Sequence, residues 1–565
     1  MEQITQIIAE AIKQLFNIDV YVQLTRPDVQ FGDYATNIAM QLAKQVGKNP
    51  REIADQLAEK LLTVNEFSEV SVAGPGFINI RVDSKKLADI LDDNWSERYG
   101  ASNDGNGKTV VVEYPSQNMA KPYSIGHLRP GNQGWAVKRL MEVTGWKVIT
   151  DNHLGDYGAP FGVWVVGFLK FSSEDKLVAG GVYELGRVYI ETKKALKEEA
   201  ESGAHELADE VQTWLLRLEN GNAEATTYSQ RFNEISLKHI HDVMDRLKIS
   251  TDHELGEAFF APMGKTTVQK LIDSGVAVKN DDNSVIVPLD DYGIDVPLLV
   301  QKSNGAALYA TTDLATLLYR EENWQPDRVI YCVGAEQQFY FTQVFAMARK
   351  LGIKTDLIHL WFGLIDQMNE DGSREKMSSR KGVVLMEELL DTAESKARKV
   401  VEGRAVSDED VKKIALGAIK FTDFVADRRT NILFSWDKIF ALSGFSGPYV
   451  QYAAVRLNKI LVDHPVVQVS GLDDYDYVAE KQVVLKLMEY PDVIAMAARD
   501  LEPHKVASYL YDLAREMNRY YETTPIATDA VGDIEKQARL GVLKKVSQVL
   551  SHGLSILGIE VPNSM

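Results

Sequence analysis

The stretch PYSIGHLRPGNQG, residues 122–134, lies between an apolar run and an amphipathic one. Before it, TVVVEY (109–114) is a continuous β-branched run, the pattern of a strand buried on both faces. After it, WAVKRLMEVTG (135–145) spaces its apolar residues as a helix does, and WKVITDNHLGD (146–156) supplies a second strand. Strand, loop, helix and strand make a βαβ unit, the start of a parallel, doubly wound sheet. Ligands of such sheets bind beyond the carboxyl ends of the strands, where the loop 115–127 falls. His127 directly follows Gly126 at the start of the helix. Backbone N–H groups there favour an anion, and the glycine lets a flat base or a phosphate come close. An imidazole at that point can donate a hydrogen bond to a phosphate oxygen as charge develops. Standing alone, a G-H dipeptide is more often a capping histidine in an ordinary βα loop.

Composition narrows the class. A chain of 565 residues has room for three or four domains at roughly 100–200 residues each. With 45% hydrophobic and 25% charged residues it reads as a globular protein. The longest apolar run, around FGVWVVGFL (161–169), is too short to span a bilayer, so no membrane partner is expected. The opening MEQITQIIAEAIKQLF places Ile4, Ile7, Ile8, Ala11, Ile12 and Leu15 at helical spacing and reads as a folded helix rather than a signal peptide. Cys332 is the single cysteine, which excludes an internal disulfide and a cysteine-rich zinc site and suits the cytoplasm. The net charge of −19 (62 basic against 81 acidic residues) argues against non-specific nucleic-acid binding but leaves room for a local basic groove.

The expected fold class is α/β and multidomain: a Rossmann-like parallel-sheet catalytic domain, a small α+β N-terminal domain and an all-α C-terminal domain. Residues 1–93 form the first domain. In it NPREIADQLAEKLL begins with Asn49 as N-cap, Pro50 at the first helical position and Glu52 two residues on. VSVAGPGFINIRVD (70–83) reads as two short strands around Gly-Pro-Gly, and the polar segment 94–108 as a linker. Residues 108–386 form the central domain, with a charged helical insertion at about 170–250 and further strands at SVIVPL (284–289) and RVIYCVG (328–334). From 387 to 565 nearly everything is helical, and Ser407 caps SDEDVKKIALGAIKF.

EKMSSRKG (375–382) is the second constellation: Lys376, Arg380 and Lys381 with two serines and a glycine. Such a loop can close over a polyphosphate and neutralise it. By itself it is equally a solvated basic turn. The two constellations do not stand alone. SIGH resembles the HIGH signature of class I aminoacyl-tRNA synthetases, and KMSSR resembles the KMSKS signature, in the same order. VEYPSQNMAKPYSIGHLRPGNQGWAVKRLMEVTGWKVITDNHLGDYGAPFG resembles the arginyl-tRNA synthetase form of this region. So do LYATTDLA (308–315), GPYVQYAAVRL (447–457), and the N-terminal GDYATNIAMQLAK with KNPREIA. The resemblance covers nearly the whole chain. Two positions depart from it: Ser124 stands for the first histidine of HIGH, and Ser379 for the second lysine of KMSKS.

The resemblance implies an arginine–tRNA ligase. Arginine and ATP, the latter with Mg²⁺, give arginyl-adenylate and pyrophosphate, and the arginyl group passes to the 3′-terminal ribose of tRNA(Arg). Positioning and electrostatics carry such chemistry without a covalent enzyme intermediate. Catalysis is expected from His127, Lys376, Arg380 and Lys381. ATP binding is expected from Ser124, Gly126, His127, Lys376, Met377 and Ser378. A guanidinium is planar, permanently charged and rich in donors, so its selection needs carboxylates placed for bidentate pairing. Matching family positions are Glu257 and Asp313 for that clamp, Tyr309 lining it, and Glu113, Asn118 and Gln337 near the amino and carboxyl groups or the adenylate. Tyr340, where the family usually has histidine, is assigned no catalytic role. His153 is a further candidate for the pocket wall. His239 and His241 are read as structural, and no zinc is expected.

The C-terminal helices resemble the family's anticodon-binding bundle, and the N-terminal domain its module for the tRNA elbow. Tyr449 and Arg456 are the RNA-contact candidates, while Tyr452 is read as core. The family is commonly monomeric, and its setting here is the cytoplasm. Three alternatives remain at this stage: a class I synthetase for another amino acid, a nucleotidyltransferase that uses the same ATP fold without RNA, and a non-catalytic RNA-binding paralogue.

Overall fold

The computed structural model describes residues 2–93, 95–158, 160–305, 308–368, 373–376 and 384–565. The chain forms two compact units. One comprises Met1–Ser102, Tyr449–Ala497 and Lys505–Leu554; the other comprises Asn103–Pro448, Ala498–His504 and Ser555–Met565.

In the first unit, helix Glu2–Phe16 turns Ile4, Ile8, Ala11 and Ile12 inward but leaves Leu15, at its last turn, exposed. The Asn49 side chain accepts the Arg51 N–H and starts helix Pro50–Leu61. Strands β1 (Tyr34–Thr36), β2 (Phe67–Ala73) and β3 (Phe77–Val82) form an antiparallel sheet in the order β1-β3-β2, with the Gly-Pro-Gly turn joining β2 to β3. The later segments contribute helices, among them His504–Thr523 and most of Asp533–Ile556. Buried Glu480 ties these together, accepting from Tyr520 Oη at 2.7 Å and Arg539 Nε at 3.2 Å. Lys481 reaches back to Asp33 at 2.7 Å.

The second unit contains the strands β4 (Thr109–Glu113), β5 (Lys147–Asp151), β6 (Val278–Lys279), β7 (Val285–Leu289), β8 (Ile294–Gln301), β9 (Arg328–Tyr331), β10 (Asp356–His359), β11 (Ile365–Met368), β12 (Arg374–Lys376) and β13 (Ile432–Phe434). Its central sheet runs β10-β9-β4-β5, and every pairing in it is parallel. Val110, Val111 and Val112 of β4 are fully buried, because helices cover both faces. The helix Leu128–Val143 lies close on this sheet at Gly134, where a Cβ would come within 2.4 Å of the Tyr114 ring. Strands β6, β7 and β8 form an antiparallel sheet whose Val287 and Val300 share one core with Val111, Val329, Leu314 and Met347. Helices Glu174–Ser202, Glu206–Glu219 and Ala223–Leu247 occupy the charged stretch after residue 170. Helices Met386–Val400 and Asp408–Thr422 also belong to this unit, the latter capped by Ser407, whose Oγ accepts from Asp410 N–H at 3.1 Å.

Register aligns the strand ends. Glu113 of β4 stands opposite Asp151 of β5 and Tyr331 of β9, so two carboxylates and a phenol meet at the carboxyl edge of the sheet.

Candidate functional site

At that edge lies a cavity of about 290 Å³ in the second unit. The loop after β4 supplies Asn118, Gly126 and His127 to its wall, the segment after β9 supplies Gly334 and Gln337, and Phe362–Ile365 closes another side. Gly126 is exposed, and a Cβ there would meet only Ser124 Oγ at 3.5 Å, so the space in front of this backbone is open.

His127 is oriented by the residue that replaces the first histidine of the signature. Its Nδ1 accepts the Ser124 N–H at 3.2 Å, with Ser124 Oγ at 3.4 Å. The proton therefore sits on Nε2, as a donor. Burial pushes the His127 pKa down from 6.5 to about 4, and neighbouring Lys121 also lowers it. At neutral pH the ring is an uncharged hydrogen-bond donor. The loop that carries it is firmly seated. Ser116 and Ala120 adopt left-handed backbone (φ 55° and 52°), and their N–H groups donate to Asn152 Oδ1 at 3.0 Å and Ser236 Oγ at 2.9 Å. His239 accepts the Tyr123 N–H at 3.0 Å, and His241 pairs with Glu254 at 2.8 Å, so these two rings serve different partners.

Met377, Ser378, Arg380 and Lys381 lie outside the described residues, and Lys376 is the last residue of β12. The chain that follows them meets the His127 loop directly. Ile125 N–H donates to Val384 O at 3.0 Å, and Met386 N–H to Tyr123 O at 2.9 Å.

A second region gathers acids. Glu257 opens helix Glu257–Phe260, and Asp313 sits one turn into helix Tyr309–Asn323. Burial pushes Glu257 from 4.5 up to about 7, with Asp313 and Asp156 adding to the rise and His153 opposing it. Burial likewise raises the pKa of Asp313 and of Asp156. His153 Nε2 is 4.0 Å from Asp313 Oδ1, and its Nδ1 donates to Leu255 O at 3.0 Å. The Tyr340 hydroxyl donates to Asp313 Oδ2. Tyr309, 61% exposed, stands at the head of the same helix; partial burial of its hydroxyl raises the phenol pKa, and nearby Glu257 adds to the rise. Among the described residues no arginine or lysine is within ion-pair distance of Glu257 or Asp313. Buried carboxylates without a cation are costly, and their raised pKa values record that cost.

The protein's own guanidinium in this region is engaged elsewhere. Arg320, fully buried, places Nη2 at 2.7 Å from both Glu113 Oε2 and Asp151 Oδ2. Glu113, expected beside the arginine substrate, is thus 5% exposed and already ion-paired. Its second oxygen lies 3.5 Å from Ser116 Oγ, at the cavity wall. Sequence reasoning missed Arg320 and Asp156, and it left Tyr340 out of a cluster in which its hydroxyl touches Asp313. The alternation of the helix TTDLATLLYR was the available signal for Arg320, since it turns that arginine to the same side as buried Leu317.

The RNA-contact candidates lie on helix Gly447–Asp463. Tyr449 Oη accepts from Asn518 Nδ2 at 2.9 Å, and the Arg456 guanidinium stacks 4.0 Å from the Tyr521 ring. Tyr452, read as core, is instead 36% exposed, because its side of the helix faces away from the neighbours that bury Ala453 and Ala454.

Comparison with known proteins adds three spans. Residues 88–436 match the family model for tRNA synthetases class I (R), catalytic domain; residues 2–82 match the arginyl tRNA synthetase N terminal domain; residues 450–565 match the DALR anticodon binding domain. The arginine–tRNA ligase of Fusobacterium nucleatum is 32% identical over 579 residues, covering 100% of this chain and 99% of that protein. That of Clostridium botulinum strain Okra is 35% identical over 578 residues, covering 99% of each. The solved arginyl-tRNA synthetase of Thermus thermophilus shares the fold, with a TM-score of 0.83 over 100% of both chains at 23% identity. Among the described residues no helix is long and apolar enough to cross a membrane.

Proposed function

Because the chain belongs to the arginyl-tRNA synthetase family and joins arginine to tRNA with ATP, we propose how its own residues divide that work. The observation that carries the assignment is the acid cluster. Glu257 and Asp313, half-buried, raised in pKa, with His153 nearby but no arginine or lysine at ion-pair distance among the described residues, form a receptor for a permanently charged guanidinium. Tyr309 covers its open side. Lysine offers a compact ammonium that cannot bridge both carboxylates with parallel hydrogen bonds, which is the basis of discrimination.

ATP occupies the cavity along Gly126, His127 and Gln337. Its Mg²⁺ enters with the phosphates, as part of the substrate. His127 donates from Nε2 to the α-phosphate, where negative charge builds as the arginine carboxylate attacks. A neutral donor suits this role over a wide pH range, since its pKa of about 4 lies well below neutrality. Ser124 fixes the tautomer. Lys376, with Arg380 or Lys381 in place of the missing lysine, and with Met377 and Ser378, holds the departing pyrophosphate. Asn118 and Gln337 orient the amino and carboxyl groups of arginine or the adenylate, and Glu113 stands behind them in its pair with Arg320. The hydrogen bonds between residues 123–125 and 384–386 support concerted placement of the two signature segments.

The C-terminal helices read the anticodon, with Tyr449 and Arg456 as contacts, and residues 1–93 meet the tRNA elbow. With a net charge of −19 the RNA contact rests on a few placed cations and weakens with salt. The enzyme is cytoplasmic and monomeric.

Arginine-dependent exchange of pyrophosphate into ATP, with and without tRNA, tests this. Exchange only with tRNA supports coupling of RNA binding to activation; exchange without it keeps the adenylate chemistry and drops the coupling. No exchange from folded protein with any amino acid would overturn the assignment of the cavity.

A further inference from the structure

Tyr340 occupies the first turn of helix Gln338–Lys350, and Asp313 the first turn and a half of helix Tyr309–Asn323. The tyrosine hydroxyl donates to Asp313 Oδ2, while Oδ1 faces the His153 ring at 4.0 Å. His153 is itself fixed from behind by Leu255 O at 3.0 Å and by the Phe260 ring, 5.7 Å between centroids. Phe341 packs edge-on against the Tyr340 ring at 5.6 Å. The Asp313 carboxylate is therefore held from two sides by groups that are themselves packed.

We infer that Tyr340 is a specificity-determining positioning residue, which locks the Asp313 carboxylate so that its remaining edge meets a guanidinium end-on. The inference rests on the assignment of Asp313 and Glu257 to the guanidinium. A carboxylate free to rotate presents one oxygen to an ammonium as readily as two to a guanidinium; a pinned one favours the planar fork. A phenol is well suited to pin it. Burial and the adjacent Asp313 both raise the Tyr340 pKa, so the hydroxyl keeps its proton and remains a donor. A histidine at this place would titrate near neutrality and could present a lone pair instead.

The test is a double-mutant cycle on the full-length enzyme, with arginine KM, ATP KM and kcat read in pyrophosphate exchange. Tyr340→Phe removes one oxygen and preserves the ring packing, so the fold is retained. The expected result is an arginine KM higher by about tenfold or more, the effect of one lost hydrogen bond to a charged group, with ATP KM and kcat within about twofold. The arginine-over-lysine preference falls in the same variant. In an Asp313→Asn background, Tyr340→Phe adds little further loss, because its partner has already changed. An unchanged arginine KM in Tyr340→Phe, equal changes in ATP KM, or full additivity in the cycle would each overturn the inference. If Asp313→Asn alone leaves arginine KM unchanged, the guanidinium clamp falls and takes this inference with it. If Asp313→Asn raises it and Tyr340→Phe does not, only the role of Tyr340 falls.

Discussion

Glu257→Gln removes one charge from the proposed arginine clamp while keeping the side chain's shape, and its effect depends on pH in a calculable way. Burial sets the Glu257 pKa at about 7 instead of 4.5. Holding the carboxylate ionised in the empty pocket thus costs about 2.5 pH units at 1.36 kcal/mol each, roughly 3 kcal/mol. A bound guanidinium offsets that cost and favours the ionised form. At neutral pH the glutamine variant loses a charge-assisted hydrogen bond of about 1.5–3 kcal/mol, so arginine KM rises by about 10- to 150-fold. Below pH 7 the wild-type pocket must release a proton before it can pair with arginine. Its arginine KM therefore climbs by up to about tenfold for each pH unit as pH falls, and levels off above about pH 7. The variant has no such proton to lose, so the gap between the two enzymes closes from about pH 8 to about pH 6.

The assay is arginine KM in pyrophosphate exchange at saturating ATP across that pH range. Arginine keeps its own charge throughout, so the substrate contributes no step. Asp313, also raised by burial, is coupled to Glu257, and the apparent midpoint belongs to the pair. A wild-type arginine KM that is flat between about pH 6 and pH 8 would refute the reasoning. So would a step at the same pH and of the same size in Glu257→Gln, since the titrating group would then lie elsewhere.

His127→Ala should lower kcat by about 10²–10³-fold with arginine KM within about twofold; equal losses in both would remove His127 from the transition state. Because its pKa is about 4, the wild-type kcat should show no His127 step between about pH 5 and pH 8. Lys381→Ala should slow adenylate formation, measured by pyrophosphate exchange, more than Lys459→Ala does; the reverse order would give the missing lysine's role to another cation. Lys420 is fully buried on helix Asp408–Thr422, its Nζ 6.0 Å from the centre of the Trp135 ring, and burial lowers its pKa from 10.5 to about 7. Its charged form is disfavoured only in the folded state, so stability is unaffected above about pH 10.5 and declines as pH falls to about 7, by at most ~5 kcal/mol. Lys420→Met should therefore raise the thermal midpoint more at pH 7 than at about pH 10, and a fall in midpoint at both would show that the amine is needed.

The outline of the molecule was legible because its signals are local. The β-branched run at 109–114, the caps at Asn49 and Ser407 and the Gly-Pro-Gly turn each depend on residues within a few positions of one another, and each forms the element it announces. The site was legible only where a motif reports it. SIGH marks the loop, yet that Ser124 sets the tautomer of His127 is a matter of 3.2 Å between a backbone N–H and a ring nitrogen. Arg320 joins two strand ends that lie 169 residues and more away in the chain. Helical spacing from Leu317 turns that arginine inward, but its partners are unreadable until the register of β4 against β5 brings Glu113 level with Asp151.

The same consideration explains why the acids that matter could not be picked from 81 by residue type. A carboxylate becomes a receptor for a cation when the fold buries it and gives the available cations to others. Here Arg320 goes to Glu113 and Asp151, His241 goes to Glu254, and Glu257 and Asp313 are left with a distant imidazole and a phenol. That allocation is a property of the whole second unit rather than of any motif. It also makes the selectivity directional. A ligand that brings its own permanent charge relieves the raised pKa of both acids at once, whereas a neutral side chain entering the same space leaves the cost in place. On the proposed assignment the substrate supplies a charge that the protein commits elsewhere, since the 2.7 Å contacts of Arg320 go to Glu113 and Asp151 and its field only partly offsets the burial of Asp313.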